Sequence, residues 1–188
     1  MIDLSKYNVL EKNKTTLKQA SLDDSENKKR YMTESLCSVI DFDKVKSQYS
    51  KGLHMTEEPC SVDAILSCKG KGIILIEFKN GCINELNIHK KVYDSTIIFC
   101  DITSKCVTDL RKEAIFILVY DREKNKKCQP VLEQQVPALE SLADGIAKNA
   151  GREIIRFGLS RYKNYCFKEV HTYTIVEFDK FLKANGIV

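Results

Sequence analysis

The chain has 188 residues, 43% of them hydrophobic, and a formal net charge of +4. That length suits one domain with a sizeable core and is short for two; the mild positive charge permits a polyanionic partner without requiring one. No apolar run approaches the ~18 residues of a membrane-spanning helix, and "MIDLSKYNVLEKNK" has no continuous apolar stretch of the secretory kind, so the expectation is a cytoplasmic protein with no membrane partner.

Residues 1–30 are polar and charged, with Leu17, Ala20 and Leu22 the ones able to pack, and read as an N-terminal arm or peripheral helix. Residues 31–188 read as a single domain. "TESLCSVIDFDKVKSQY" spaces Leu36, Val39, Ile40, Val45 and Tyr49 as helical turns require, although "SVIDF" also fits a short strand. After Pro59, "SVDAILSC" and "GIILIEFK" read as two strands joined by "KGKG", whose glycines suit a tight reversal. The next segment, from Ile83, places Leu86, His89, Val92, Tyr93, Thr96, Ile97 and Cys100 on one helical face. "EAIFILVYD" is a continuous apolar run, the pattern of a central strand covered on both sides. "VLEQQVPALESLADGIAKNAG" reads as a helix interrupted near Pro137 and ended at Gly151. "EIIRFGLSRY" and "CFKEVHTYTIV" look like strands, and "EFDKFLKANG" closes as a helix with Gly186 past its end. This order predicts an α/β fold, a mixed sheet with helices on its faces.

The eight cysteines form no CxxC, which argues against a zinc knuckle. With no export signal, they read as reduced, mostly buried thiols.

The strand Ile73–Ile76 runs into Glu77, Phe78 and Lys79. Side chains alternate along a strand, so Glu77 and Lys79 share a face. If the turn centres on Gly70, residues equidistant from it oppose each other, and Asp63 meets Glu77. Opposed like charges repel on a sheet. At ~4 Å the cost is about 4 kcal/mol at an effective dielectric near 20. A divalent cation between the carboxylates reverses that sign. Two hard oxygen donors suit Mg²⁺ or Mn²⁺, and the ammonium of Lys79 can orient a water or stabilise charge developing on a phosphate. Read without a metal, Glu77–Lys79 is an ordinary strand-end ion pair, worth little, and Asp63 caps a turn.

"SVDAILSCKGKGIILIEFK" resembles the signature of the restriction endonuclease-like, or PD-(D/E)XK, phosphodiesterases, with Asp63, Glu77 and Lys79 in the motif positions. The resemblance covers roughly Thr33 to Asp121. It implies a restriction endonuclease-like core of helix, three strands, helix and strand, with helices at 33–50 and 86–102. It also implies a metal held by Asp63 and Glu77, and a nucleic-acid substrate cut by all three residues. Val62 stands where the signature has proline. An extra acidic residue on the first helix has three candidates: Glu34, Asp41 and Asp43.

For nucleic acid, Arg152, Arg156, Arg161, Lys163 and Lys168 alternate with Phe157, Tyr162, Tyr165 and Phe167, which suits phosphate contact and base stacking, or an ordinary strand with solvated positions. Lys90 and Lys91 open the second helix, as phosphate contacts or as solvated surface. His89 sits on the apolar helix face as a near-core residue. Two functions follow: a Mg²⁺- or Mn²⁺-dependent nuclease, or a non-catalytic binding protein on the same scaffold that holds a protein or nucleic-acid partner, for example an immunity or antitoxin-like protein.

Overall fold

The computed structural model describes residues 2–23, 29–128 and 153–187. A 3₁₀ turn at Leu4–Lys6 and helix α1 (Asn8–Glu11) lead into strand β1 (Lys14–Thr16), helix α2 (Leu17–Ala20) and a ribbon of β2 (Leu22–Asp23) with β3 (Arg30–Tyr31). Strand β4 (Ser38–Asp41) and helix α3 (Phe42–Gly52) follow, then the hairpin β5 (Ala64–Cys68) and β6 (Gly72–Lys79). Helices α4 (Glu85–Thr103) and α5 (Val107–Glu113) return the chain to β7 (Ala114–Tyr120) and helix α6 (Arg122–Lys127). A 3₁₀ turn at Leu159–Tyr162 precedes β8 (Glu169–Thr174) and helix α7 (Ile175–Ala184).

The result is a mixed α/β fold built on a six-stranded sheet in the order β1-β4-β5-β6-β7-β8. The first four strands pair antiparallel, and β6-β7-β8 pair parallel. The pleat divides the core. On one face Ile73, Leu75, Phe116 and Leu118 pack with Val45 of α3 and Ile88, Val92 and Phe99 of α4. On the other, Ile74, Ile76, Ile115 and Ile117 pack with Phe178 and Leu182 of α7 and with Leu17 and Met32. Every residue of β7 is buried, as its continuous apolar run predicts. Among the described residues no helix is long and apolar enough to cross a membrane.

Several sequence expectations change. The first thirty residues are more than an arm: Ile2, Leu4, Leu10 and Leu17 are buried, and β1 is an edge strand of the sheet. The helix expected from residue 33 begins only at Phe42. Val39 and Ile40 bury on opposite faces as β4, the strand alternative, and Asp41 caps α3 by accepting from the Lys44 amide. "EIIRFGLSRY" is not a strand, because Phe157 and Gly158 both take left-handed backbone angles (φ 59° and 65°) and break extension. On α4 the buried stripe is Ile88, Val92, Ser95, Thr96 and Phe99, while Leu86, Tyr93 and Ile97 are exposed. Thr96 can be buried because its hydroxyl donates to the Val92 carbonyl at 2.7 Å. The thiols are not all reduced: Cys82 and Cys128 form a disulfide, and of the free cysteines only Cys68 and Cys166 are buried. It joins the loop after β6 to the end of α6, two segments that packing brings together across 46 residues of sequence. The helix read over 131–151, and Arg152, lie outside the described residues.

The hairpin turn places Gly70 and Gly72 at positive φ, 81° and 92°. Gly72 carries a second constraint. A Cβ there would come within 2.0 Å of the Glu113 carbonyl oxygen. We expect Gly72→Ala to cost at least about 2 kcal/mol, from the left-handed angle and the backbone clash together, read as the shift in chemical-denaturation midpoint. Gly70→Ala, with no atom near the added methyl, should cost only about 1 kcal/mol. Equal costs would show that the close approach of β6 to Glu113 does not constrain the turn.

Candidate functional site

The hairpin register pairs Ala64 with Ile76 and Leu66 with Ile74. Carried outward, it brings Asp63 beside the end of β6. Asp63 stands in a bend just before β5, its amide donating to the Ile76 carbonyl at 3.1 Å. Its Oδ2 accepts from the Phe78 amide at 2.6 Å. Glu77 follows Ile73 and Leu75 on the face beneath α4, and Leu118 of β7 flanks it in parallel register. On an interior strand and covered by a helix, Glu77 is 0% exposed.

Both carboxylates meet Lys91, which descends from α4. Its Nζ lies 2.7 Å from Glu77 Oε1 and 3.5 Å from Asp63 Oδ1. Lys79 Nζ lies 3.6 Å from the same Glu77 oxygen. The other oxygen, Glu77 Oε2, is buried with no hydrogen-bond partner. The three predicted residues are thus brought together, and a fourth joins them. Lys91 is therefore no exposed phosphate contact, whereas Lys90 is exposed.

The same helix fixes the approach to Asp63. Ser95 Oγ accepts from the Val62 amide at 2.8 Å, and Asp94 Oδ2 from the Cys60 amide at 2.7 Å. Lys91, Asp94 and Ser95 are spaced i, i+3, i+4, so one stripe of α4 serves both the carboxylates and the segment leading to Asp63. Of the three acidic candidates near the first helix, Asp43 is the one that faces the site. It accepts from Ser61 Oγ at 2.5 Å, and its charge acts on Asp63 and Lys91. Asp41 caps α3, and Glu34 pairs with Lys18 at the surface.

The electrostatics follow from burial. Burial pushes up the Glu77 carboxyl, and the Asp63 charge raises it further, to about 8, against the pull of Lys91 and Lys79. Asp63 is raised by burial, with Lys91 and the Phe78 amide opposing. Burial works against the Lys91 charge, but the two carboxylates outweigh it and its pKa rises. Even with two ammoniums near, burial and mutual repulsion disfavour two free carboxylates here.

Two clefts of about 340 and 330 Å³ open at the carboxyl ends of β6 and β7, where open α/β sheets commonly hold ligands. The first is lined by Asp63, Lys79, Asn80 and the Ser21–Asp23 segment. The second is lined by Tyr120, Phe157, Arg122, Lys126, Arg156 and Glu85 among others. Arg161 and Lys163 are exposed, on a segment that packs on the α4 side of the sheet, the side Glu77 faces. The aromatics expected to stack on bases are mostly committed to the core: Tyr162 and Phe167 are 0% exposed, and Tyr165 is the exposed one. His89 is half-buried, hydrogen-bonded through Nδ1 to the Tyr162 hydroxyl at 2.8 Å.

Among the described residues no three His, Cys, Asp or Glu side chains converge as a metal cluster. A cation here would rest on Asp63, Glu77 and oxygens from water or substrate. The donors fit a hard ion: both are carboxylates, and one buried oxygen lacks a partner. Neither a protein-family model nor a curated protein nor a solved structure matches the chain.

The raised Glu77 pKa has a sign that can be measured. The folded value, about 8, lies above the ordinary 4.5. The folded state therefore favours the protonated acid, a stabilisation complete below the ordinary value and lost as pH climbs through the folded one. Without metal, Glu77→Gln should gain on the wild type between about pH 5 and 8, by roughly several °C in Tm. Thermal unfolding in EDTA checks this; a gap independent of pH would mean that Glu77 is ionised throughout.

Proposed function

We propose that the chain is a metal-dependent nuclease of the PD-(D/E)XK type, on a restriction endonuclease-like fold, hydrolysing phosphodiester bonds in DNA or RNA. The observation that carries this reading is the buried carboxylate of Glu77, with Oε2 unpartnered, in one cluster with Asp63 and Lys79. An orphaned buried oxygen is costly, about 1–3 kcal/mol, and a hard cation would satisfy it.

Asp63 and Glu77 would hold Mg²⁺ or Mn²⁺, with the remaining positions left to water and a phosphate oxygen. Such an ion polarises the phosphoryl group and lowers the pKa of a bound water. Lys79, 27% exposed at its side chain and lining the cleft beside Asp63, orients the attacking water and offsets charge on the phosphate oxygens. Hydrolysis forms one bond from water oxygen to phosphorus and breaks one ester P–O bond. The water's proton ends on the departing alcohol oxygen. Arg156, Arg161 and Lys163 lie on the segment that would follow the nucleic-acid backbone, and Arg152 continues it in sequence.

A second reading has its own support. Lys91 already bridges the two carboxylates, as it would in a scaffold that has replaced its metal by an internal ammonium and now holds a protein or nucleic-acid partner without cutting.

Cleavage separates the two. The nuclease should cut some DNA or RNA with Mg²⁺ or Mn²⁺ and stop in EDTA. Lys79→Ala should keep metal binding and slow cleavage by roughly 10²–10³-fold, the scale of one positioned electrostatic or proton-handling group. A broad screen of single- and double-stranded DNA and RNA, with both metals and no cleavage by the wild type, would leave only the binding protein.

A further inference from the structure

Lys91 stands where a cation shared by Asp63 and Glu77 would stand. Its Nζ is within hydrogen-bonding range of Glu77 Oε1, at 2.7 Å, and reaches Asp63 Oδ1 at 3.5 Å. An ion bound to both oxygens would sit about 2.0–2.1 Å from each. That volume overlaps the ammonium, and the two positive charges would repel. The ammonium is also an incomplete substitute. It meets one Glu77 oxygen and leaves the buried Oε2 without a partner. The lysine is not walled in, since its side chain is 16% exposed.

We propose that Lys91 is an exchangeable internal counter-ion: it holds the carboxylate pair closed without metal, and a divalent cation binds only by displacing its ammonium toward solvent. The inference rests on the metal-site reading of Asp63 and Glu77. It adds a positioning residue, because Lys91 sets how tightly and when the cation binds, and touches no reacting atom in the closed form. Exchange also explains how a repulsive pair survives folding before any metal arrives. Lys79 cannot do this alone, being 3.6 Å from Glu77 and more exposed.

Two measurements on the full chain test the exchange, neither of them an activity. The first is Mn²⁺ binding followed by electron paramagnetic resonance. Lys91→Gln should bind Mn²⁺ roughly tenfold more tightly than wild type, the scale of one coupled charge removed, while Lys91→Arg stays near wild type. The second needs no substitution and so survives a variant that fails to fold. Lysine acylation read by mass spectrometry should find Lys91 protected in EDTA, and several-fold more reactive over the Mg²⁺ range in which the site fills. If the wild type binds Mn²⁺ while Lys91 stays protected, or if Lys91→Gln binds no more tightly than wild type, the exchange is wrong and the metal site stands. If neither wild type nor Lys91→Gln binds Mn²⁺, the metal reading falls and the exchange with it.

Discussion

The buried carboxylate of Glu77 is the constraint around which this end of the molecule is organised. Placing a titratable acid on an interior strand, under a helix, is costly unless it is paired. Each neighbouring element answers that cost. Helix α4 lowers Lys91 onto it, and β6 continues to Lys79. The bend before β5 presents Asp63, whose Oδ2 is held by the Phe78 amide. Asp63 worsens the repulsion instead of relieving it. A fold selected for stability alone would put an apolar side chain at residue 77, where Ile73 and Leu75 already show the pattern. The pair stands there at a cost in stability.

The hairpin was legible because its signals are local and agree with one another. Alternation sets which side chains share a face, and the glycines set the turn. The register then follows from residues equidistant from Gly70, which the pairing of Ala64 with Ile76 reproduces. Strand β7 was legible for a similar reason, since a continuous apolar run fits burial on both faces. On α4, apolarity is a poor guide to the buried face. Ser95 and Thr96 turn inward, satisfied by the Val62 amide and the Val92 carbonyl, and so Leu86 and Ile97 face out. A buried hydroxyl with a local partner is invisible to a hydrophobic pattern.

Lys91 and the disulfide were illegible for another reason. Both depend on contacts between segments that only the assembled sheet brings together: α4 over β6 for the lysine, and the loop after β6 against α6 for Cys82 and Cys128. The parallel crossover from β6 to β7 creates both, because it lays α4 and α5 across one face and delivers α6 to the same sheet end as Lys79. Composition hides the packing of the N-terminal segment. Charged residues dominate it, yet Leu4, Leu10 and Leu17 supply enough burial to seat β1 against β4.

The same reasoning reshapes the basic stretch from Arg156 to Lys168. In sequence its aromatics and cations alternate as a stacking surface would. In the fold Leu159, Tyr162 and Phe167 anchor the segment against α4 and β7, and the cations are carried outward by those anchors. Tyr162 and Phe167 thus fix where the positive charge sits without themselves offering a face to a base. Tyr162 shows the link most directly, since its hydroxyl meets His89, two residues before Lys91 on the same helix. The helix that carries the counter-ion of the carboxylate pair therefore also positions the charged surface beside it. One helix thus carries both the lysine that meets the carboxylates and the histidine that meets the anchor of the basic segment.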